Sequence, residues 1–296
     1  MSDDTTPLGG LPGADRSLLV RAPIELAVAE VRLLNDGTEL PADAGLRLLE
    51  LLSESGTKFT QLEVAQQNSF SIDFGPGAQP SPQIQKGARG WQVTDESGLV
   101  QVTVLPSTLA VQVQGKAYER WSVSLRPLLE VTLASAKQLM APSAVGRIGL
   151  RYVDRFIDDK AIAASAWVGR IRDSLLGPIC HDQLAPMIRG AQQQIELALG
   201  PSQGAILRHG PFLDQAASGS ISYLLDVDVF DARPTTLDVE EVATRAEILN
   251  RTAAALFQMW MTPEYLRELQ GKISGDTTGR AAGGAAASAQ LFEESR

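Results

Sequence analysis

The sequence predicts an α+β fold made of two antiparallel-sheet units, each followed by a long amphipathic helix. Three observations carry this. Val100, Val102 and Val104, then Leu109, Val111 and Val113, alternate with Gln and Thr, the period-two pattern of half-buried antiparallel strands. Tyr118, Trp121, Leu125, Leu128, Thr132, Ala136 and Leu139 then recur at spacings of three and four, which makes one apolar stripe on a helix. The same order returns downstream, where alternating segments precede the stripe of Val242, Ala246, Leu249, Ala253, Leu256, Phe257 and Trp260. Runs of strands followed by a helix, rather than strict strand–helix alternation, give α+β. The expected divisions are a tail over 1–19, an N-terminal unit over 20–157, a helical connector over 158–186, a C-terminal unit over 187–270 and a second tail over 271–296.

Residues 1–19 are rich in Gly, Pro, Asp and Thr, and 279–289 are nearly all Gly, Ala and Ser. Such compositions bury too little apolar surface to offset the entropy of ordering. Order is expected from Pro23, with Ile24, Leu26 and Val28 alternating with Glu25, Ala27 and Ala29 as a strand that runs on to Leu34. Asn35-Asp36-Gly37 is a turn, and 41–53 is a helix with Leu46, Leu49 and Leu52 on one side. Residues 59–74 read as extended, and 75–87 as a loop of Pro, Gly, Ser and Gln. The meander follows with strands over 91–94, 99–105 and 109–114. Pro127 interrupts the first long helix and should kink or split it. A strand over 146–156, a helix over 164–176, and strands over 205–213 and 220–230 come next. Residues 187–199 carry good helix formers, but Gln193, Ile195, Leu197 and Leu199 alternate between Gly190 and Gly200-Pro201, and a strand is expected. Asp238 caps the second long helix, over 238–261, with Glu240 and Glu241 in its first turn. Thr262-Pro263 starts a short last helix.

A net charge of −9 works against non-specific binding to nucleic acid or anionic lipid. The single cysteine, Cys180, excludes an internal disulfide and a cysteine-based zinc site. Met1 to Thr6 is acidic with no apolar run after it, unlike a signal peptide, and no apolar stretch approaches the ~20 residues of a membrane span. A cytoplasmic protein is expected.

The most informative stretch is Gly146-Arg147-Ile148-Gly149-Leu150-Arg151-Tyr152-Val153-Asp154-Arg155-Phe156. As a strand it puts Ile148, Leu150, Tyr152 and Phe156 on one face with Asp154 among them, and Arg147, Arg151 and Arg155 on the other. Such a charge stripe needs carboxylates, water or an anion beside it. Asp226 and Asp228 share a strand face about 7 Å apart, as do Glu30 and Arg32 on theirs. Together Glu30, Arg32, Arg147, Arg151, Asp226 and Asp228 form a polar cluster. It is an ion-pair network, or an anion site if arginines outnumber carboxylates; the aspartate pair by itself has the donors for a metal. Cys180-His181-Asp182 crowds nucleophile, base and carboxylate in consecutive positions, where catalytic geometry rarely forms. Gly200-Pro201-Ser202-Gln203-Gly204 lacks the Lys of a phosphate loop, and no GxGxxG follows a strand. No cofactor and no resident metal are expected.

Pro23-Ile24-Glu25 running into Glu30-Val31-Arg32, Gly90-Trp91, Tyr118 with Trp121, Arg147-Ile148-Gly149-Leu150-Arg151-Tyr152, and Leu225-Asp226-Val227-Asp228 resemble, in the same order, the blocks of a sporadically distributed bacterial family of uncharacterised function. The resemblance implies a shared fold and brings no known reaction. That family usually has Asn where this chain has Asp154, so a charge is added here. The functional expectation is a non-enzymatic binding or adaptor protein with a protein partner or self-association as a homo-oligomer. The alternative is an enzyme or ligand sensor acting on a small anion at the Arg/Asp/Glu cluster.

Overall fold

The computed structural model describes residues 6–17, 19–34, 40–54, 56–72, 82–140, 144–217 and 219–272. Nine antiparallel strands form one sheet: β1 (Ile24–Leu34), β2 (Phe59–Ile72), β3 (Pro82–Asp95), β4 (Val100–Leu105), β5 (Thr108–Gln114), β6 (Ala144–Phe156), β7 (Gln193–Gly200), β8 (Gln203–Asp214) and β9 (Ser220–Asp231). Their order is β2-β3-β4-β5-β1-β6-β9-β8-β7.

The expectation of two sheet units, each with its own helix, is therefore corrected. β1 pairs with β5 on one side and β6 on the other, and β6 pairs with β9. The sheet runs unbroken through both expected units. Alternation identifies a strand but not its neighbour, and the neighbours that join the halves, β1–β6 and β6–β9, are far apart in sequence.

Five helices among the described residues pack with the sheet: α1 (Ala44–Ser53), α2 (Arg126–Met140), α3 (Asp173–Leu176), α4 (Val239–Trp260) and α5 (Pro263–Leu269). The core lies between α1, α2, α4 and one sheet face, where Ala27, Ala29, Val31, Leu33, Val102, Val111, Leu150, Val227 and Val229 are buried. Strand alternation puts the arginine stripe on the opposite face. In β1 the inward residues are Ala27, Ala29, Val31 and Leu33, while the larger Leu26 and Val28 of the alternating row face the other way. A bulge between Ile24 and Leu26 changes the phase, and a one-residue slip moves every side chain to the other face. In α1, Leu48 and Leu52 are buried while Leu46 is exposed. The expected stripe is thus rotated toward Gly45, where a Cβ would come within 2.6 Å of Trp91.

The first long helix, expected to kink or split at Pro127, instead runs on without a break but changes its winding there. Trp121–Leu125 is a π turn, and α2 begins at Arg126. Proline cannot donate to the carbonyl four residues back, and the wider turn accommodates its ring. The expected helix over 164–176 is replaced by a 3-10 turn (Ala164–Trp167) and the single turn of α3. Gly169 adopts φ 80° between them, and fully buried Trp167 donates its indole N–H to the Ile221 carbonyl at 2.9 Å. β3 begins at Pro82, so residues 82–87 of the expected loop are strand; residues 73–81 lie outside the described residues, as do 273–296. β7 confirms a strand over Gln193–Gly200, preceded by a 3-10 turn (Ala185–Met187). Asp238 accepts from the Glu241 N–H at 2.9 Å and caps α4.

Residues 6–17, whose composition predicts a tail, follow a defined path along α4. The Leu8 N–H donates to Thr252 Oγ1 at 2.9 Å, and Gln258 brackets Asp15 by accepting its N–H at 2.8 Å and donating to its carbonyl at 2.6 Å. Polar side chains on α4 supply what the apolar-poor segment lacks. Among the described residues no helix is long and apolar enough to cross a membrane.

Candidate functional site

The polar cluster assembles on the sheet face opposite α2 and α4. β6 pairs with β1 and β9 in a register that sets Arg151 beside both Val28 and Asp228. Arg151 makes a bidentate pair with Asp226, Nε to Oδ1 at 2.7 Å and Nη2 to Oδ2 at 2.8 Å. Arg208 of β8 reaches the same carboxylate at 3.3 Å. Arg147 donates to Glu30 at 3.1 Å and to both Asp228 oxygens at 3.3 Å, and lies over the Phe230 ring at 5.0 Å. Gly149 makes this possible, since a Cβ there would sit 2.6 Å from Arg147 Nη1. Arg32 pairs with Glu30 at 2.9 Å. Arg155, at the end of the stripe, forms a second bidentate pair with Asp214 at 2.7 and 2.8 Å.

All six sequence-identified residues thus come together, joined by Arg208. Each guanidinium is engaged by a carboxylate, which lowers the field an incoming anion would meet. Burial raises the Asp228 carboxyl above its usual range, partly offset by Arg147, while the hydrogen bonds Arg151 donates to Asp226 raise the guanidinium further. Among the described residues no group of three or more His, Cys, Asp or Glu is placed to hold a metal.

Cys180, His181 and Asp182 lie in a surface stretch. Burial, then Asp173, raises the exposed Cys180 thiol, the reverse of nucleophile activation. His181 Nδ1 accepts from the Gln183 N–H at 3.3 Å, so the imidazole faces its own turn. His209 is buried, its Nδ1 2.9 Å from the Tyr223 hydroxyl, and burial lowers it to about 4. It is a neutral core histidine.

The other face of β6 holds a cavity of about 470 Å³, within the roughly 300–1,000 Å³ usual for small-molecule sites. Tyr152 and Asp154 of β6 and Val227 of β9 line one side, Asn250 to Gln258 of α4 another, and residues 118–122 a third. Residues 6–22 contribute the roof through Pro7, Leu11, Ala14 and Leu19. Trp121 and Phe257 add aromatic surface.

A row of polar groups crosses this wall. The Tyr118 hydroxyl donates to the Tyr152 hydroxyl at 3.4 Å, and Tyr152 donates to Asn250 Oδ1 at 3.0 Å. The two rings meet edge to face with centroids 5.9 Å apart. Burial pushes Tyr118 up to about 12 and Tyr152 well above its ordinary value, so both stay neutral donors. Asp154 is only 3% exposed and has no hydrogen-bond partner among the described residues. Burial, and then the charge of Asp226, raises its carboxyl to about 8. Desolvation disfavours the ionised form when neither a cation nor N–H groups compensate.

Reasoning from sequence placed Asp154 among the apolar residues of β6 but set the site on the opposite face. Asn250 was missed because a polar residue on an amphipathic helix reads as solvated, and Tyr118 because it was counted with the apolar stripe of the first long helix. The available signal was an ionisable residue in phase with an apolar strand face.

The roof gives a direct test. Gln258→Ala removes both hydrogen bonds to the Asp15 backbone, at a cost of about 1–2 kcal/mol. Amide exchange is expected to accelerate across residues 6–17 and stay unchanged in β1, β6 and β9; unchanged exchange in the roof would show that other contacts hold it.

No protein-family model matches the chain, and no curated protein matches it at a significant level.

Proposed function

We propose that this is a cytosolic, non-catalytic binding protein that holds a small molecule in the cavity between β6, α4 and the roof of residues 6–22. The observation that supports the reading most is Asp154, a buried carboxyl with no hydrogen-bond or ion-pair partner among the described residues, at the wall of a ligand-sized cavity. Buried polar groups are normally satisfied, and an exception at a cavity is the mark of a site completed by something else. Tyr118, Tyr152 and Asn250 supply oriented hydrogen bonds, while Trp121, Phe257, Ala253 and Ala254 supply apolar wall. Such a mixture, mostly apolar with a few convergent polar groups, favours binding. Binding is favoured over catalysis because the lining pairs no nucleophile with a base among the described residues. The exposed free thiol of Cys180 suits a reducing compartment.

Filling the cavity tests this. Ala254 lines it from α4, and Ala254→Phe places a ring into the space. The wild-type protein incubated with a metabolite extract is expected to show discrete small-molecule adducts by native mass spectrometry, and the variant to lose them while keeping its thermal transition. Adducts retained in full by the variant would place the ligand elsewhere.

A further inference from the structure

The cavity wall has an asymmetry of charge. Its lining includes Asp15, Glu119 and Asp154 and, of opposite sign, Arg16, Arg120 and Arg251. Glu119 and Arg120 are exposed. Arg16 and Arg251 are both held by Glu247 of α4, at 3.2 and 3.1 Å. Asp15 is occupied by Ser17, Gln270 and Lys272. Among the described lining residues, Asp154 is the buried carboxyl with no cation at ion-pair distance. On the other face of the sheet Arg151 and Arg208 are taken by Asp226, and Arg155 by Asp214.

We infer that the cavity takes a small organic cation, its ammonium against the Asp154 carboxylate and its hydrocarbon body against Tyr118, Trp121, Tyr152 and Phe257. This rests on the cavity being a ligand site. A buried carboxylate is costly alone and is compensated by a cation held at its oxygens. Aromatic rings around a cation add attraction through their negative faces. Neutral Tyr118 and Tyr152 hydroxyls and the Asn250 amide complete the hydrogen bonding around such a head group. An anionic ligand would instead meet Asp154 as a like charge whenever that group ionises.

The pairing has a proton signature. The free carboxyl is raised to about 8 by burial, and Asp226, Tyr118, Tyr152, Glu247, Arg16 and Arg251 are the titratable and charged groups around it. An ammonium holds the carboxylate ionised, so binding below pH 8 expels one proton from Asp154 to solvent. Affinity for an amine therefore rises with pH, up to about tenfold per unit, and levels off above about pH 8.

The test uses three near-isosteric probes, 2-phenylethylamine, 2-phenylethanol and phenylacetate, titrated by calorimetry into wild-type protein and Asp154→Asn. The amine is expected to bind the wild type at least about tenfold more tightly than the alcohol. Asp154→Asn should bring the amine down to the alcohol's affinity. Titrations in buffers of different ionisation enthalpy should show about one proton released per amine at pH 7 in the wild type, an outcome independent of the variant. Equal binding of alcohol and amine, insensitive to Asp154→Asn, overturns the cation and leaves the cavity as a site. Tightest binding of phenylacetate overturns the cation in favour of an acid. Failure of all three probes at millimolar concentration overturns both readings.

Discussion

Asp154→Asn is expected to stabilise the folded protein by about 3–5 kcal/mol at pH 9 and by less than about 1 kcal/mol at pH 4. The folded-state pKa is raised from 3.8 to about 8, by burial first and the charge of Asp226 second. Between these values the folded chain holds a proton that the unfolded chain has released. Stability then falls as pH rises, by up to about 1.4 kcal/mol per unit, and the loss is complete above pH 8. The full span corresponds to about 5–6 kcal/mol; water reaching the carboxyl through the cavity and the burial of an amide in its place reduce the gain. Asn keeps the shape and cannot ionise. Urea denaturation of both proteins across this pH range should give a difference curve that climbs from near zero and levels off above pH 8. A flat difference would mean that the carboxyl is solvated or paired.

A residue that weakens its own fold at neutral pH and lines a cavity fits the trade between stability and function found at binding sites. The tyrosines beside it gain nothing from its charge, because both are held in the neutral form by burial. The same substitution therefore separates two quantities: the free energy of the empty fold should rise, while the affinity for an amine should fall.

Most residues of the strands were readable because alternation is a local property, although residues 82–87 of β3 read as loop. Val100 to Val113 fell in phase as expected, and Asp238 and Thr262 capped their helices with side-chain oxygens. Alternation alone did not give the strand order; only the charges of Arg147 and Arg151 against Glu30, Asp226 and Asp228 linked β6 to β1 and β9, and the single continuous sheet was not readable. The bulge at Ile24 reversed the phase of β1 and moved Leu26 and Val28 off the core face. The stripe of Arg147, Arg151 and Arg155 and its aspartates was legible, since charges on a strand that is half core require partners. The cavity was not. It depends on residues 6–22 crossing from the chain's start to α4, and Gln258 and Thr252 give no sign in sequence that they hold them.

Along the arginine stripe the cost of truncation should follow burial rather than bond count. Arg155 has a side chain 19% exposed and pairs with Asp214, at 5%; Arg155→Ala should cost about 2–4 kcal/mol because it strands a buried carboxylate. Arg151→Ala should cost about 1–2 kcal/mol. Its side chain is 46% exposed, and Asp226 keeps Arg208 at 3.3 Å. Arg32, 60% exposed, shares Glu30 with Arg147, so Arg32→Ala should cost less than about 0.5 kcal/mol. Asp214 also has a pH dependence of its own. Burial works to raise its carboxyl, but the nearby Ser222 hydroxyl and the paired Arg155 outweigh it and the net shift is downward. That stabilisation is present above the ordinary carboxylate range and is lost as pH falls through the depressed value. The penalty of Arg155→Ala should therefore shrink in acid, where Asp214 takes up a proton. Asp214→Asn retains the shape that receives the Ala216 N–H and removes the charge. The double variant Arg155→Ala/Asp214→Asn should then cost less than the sum of the two single changes by at least about 1 kcal/mol. Additive single effects, or an Arg155→Ala penalty no larger than that of Arg32→Ala, would show that this end of the stripe is held by solvent rather than by the pair.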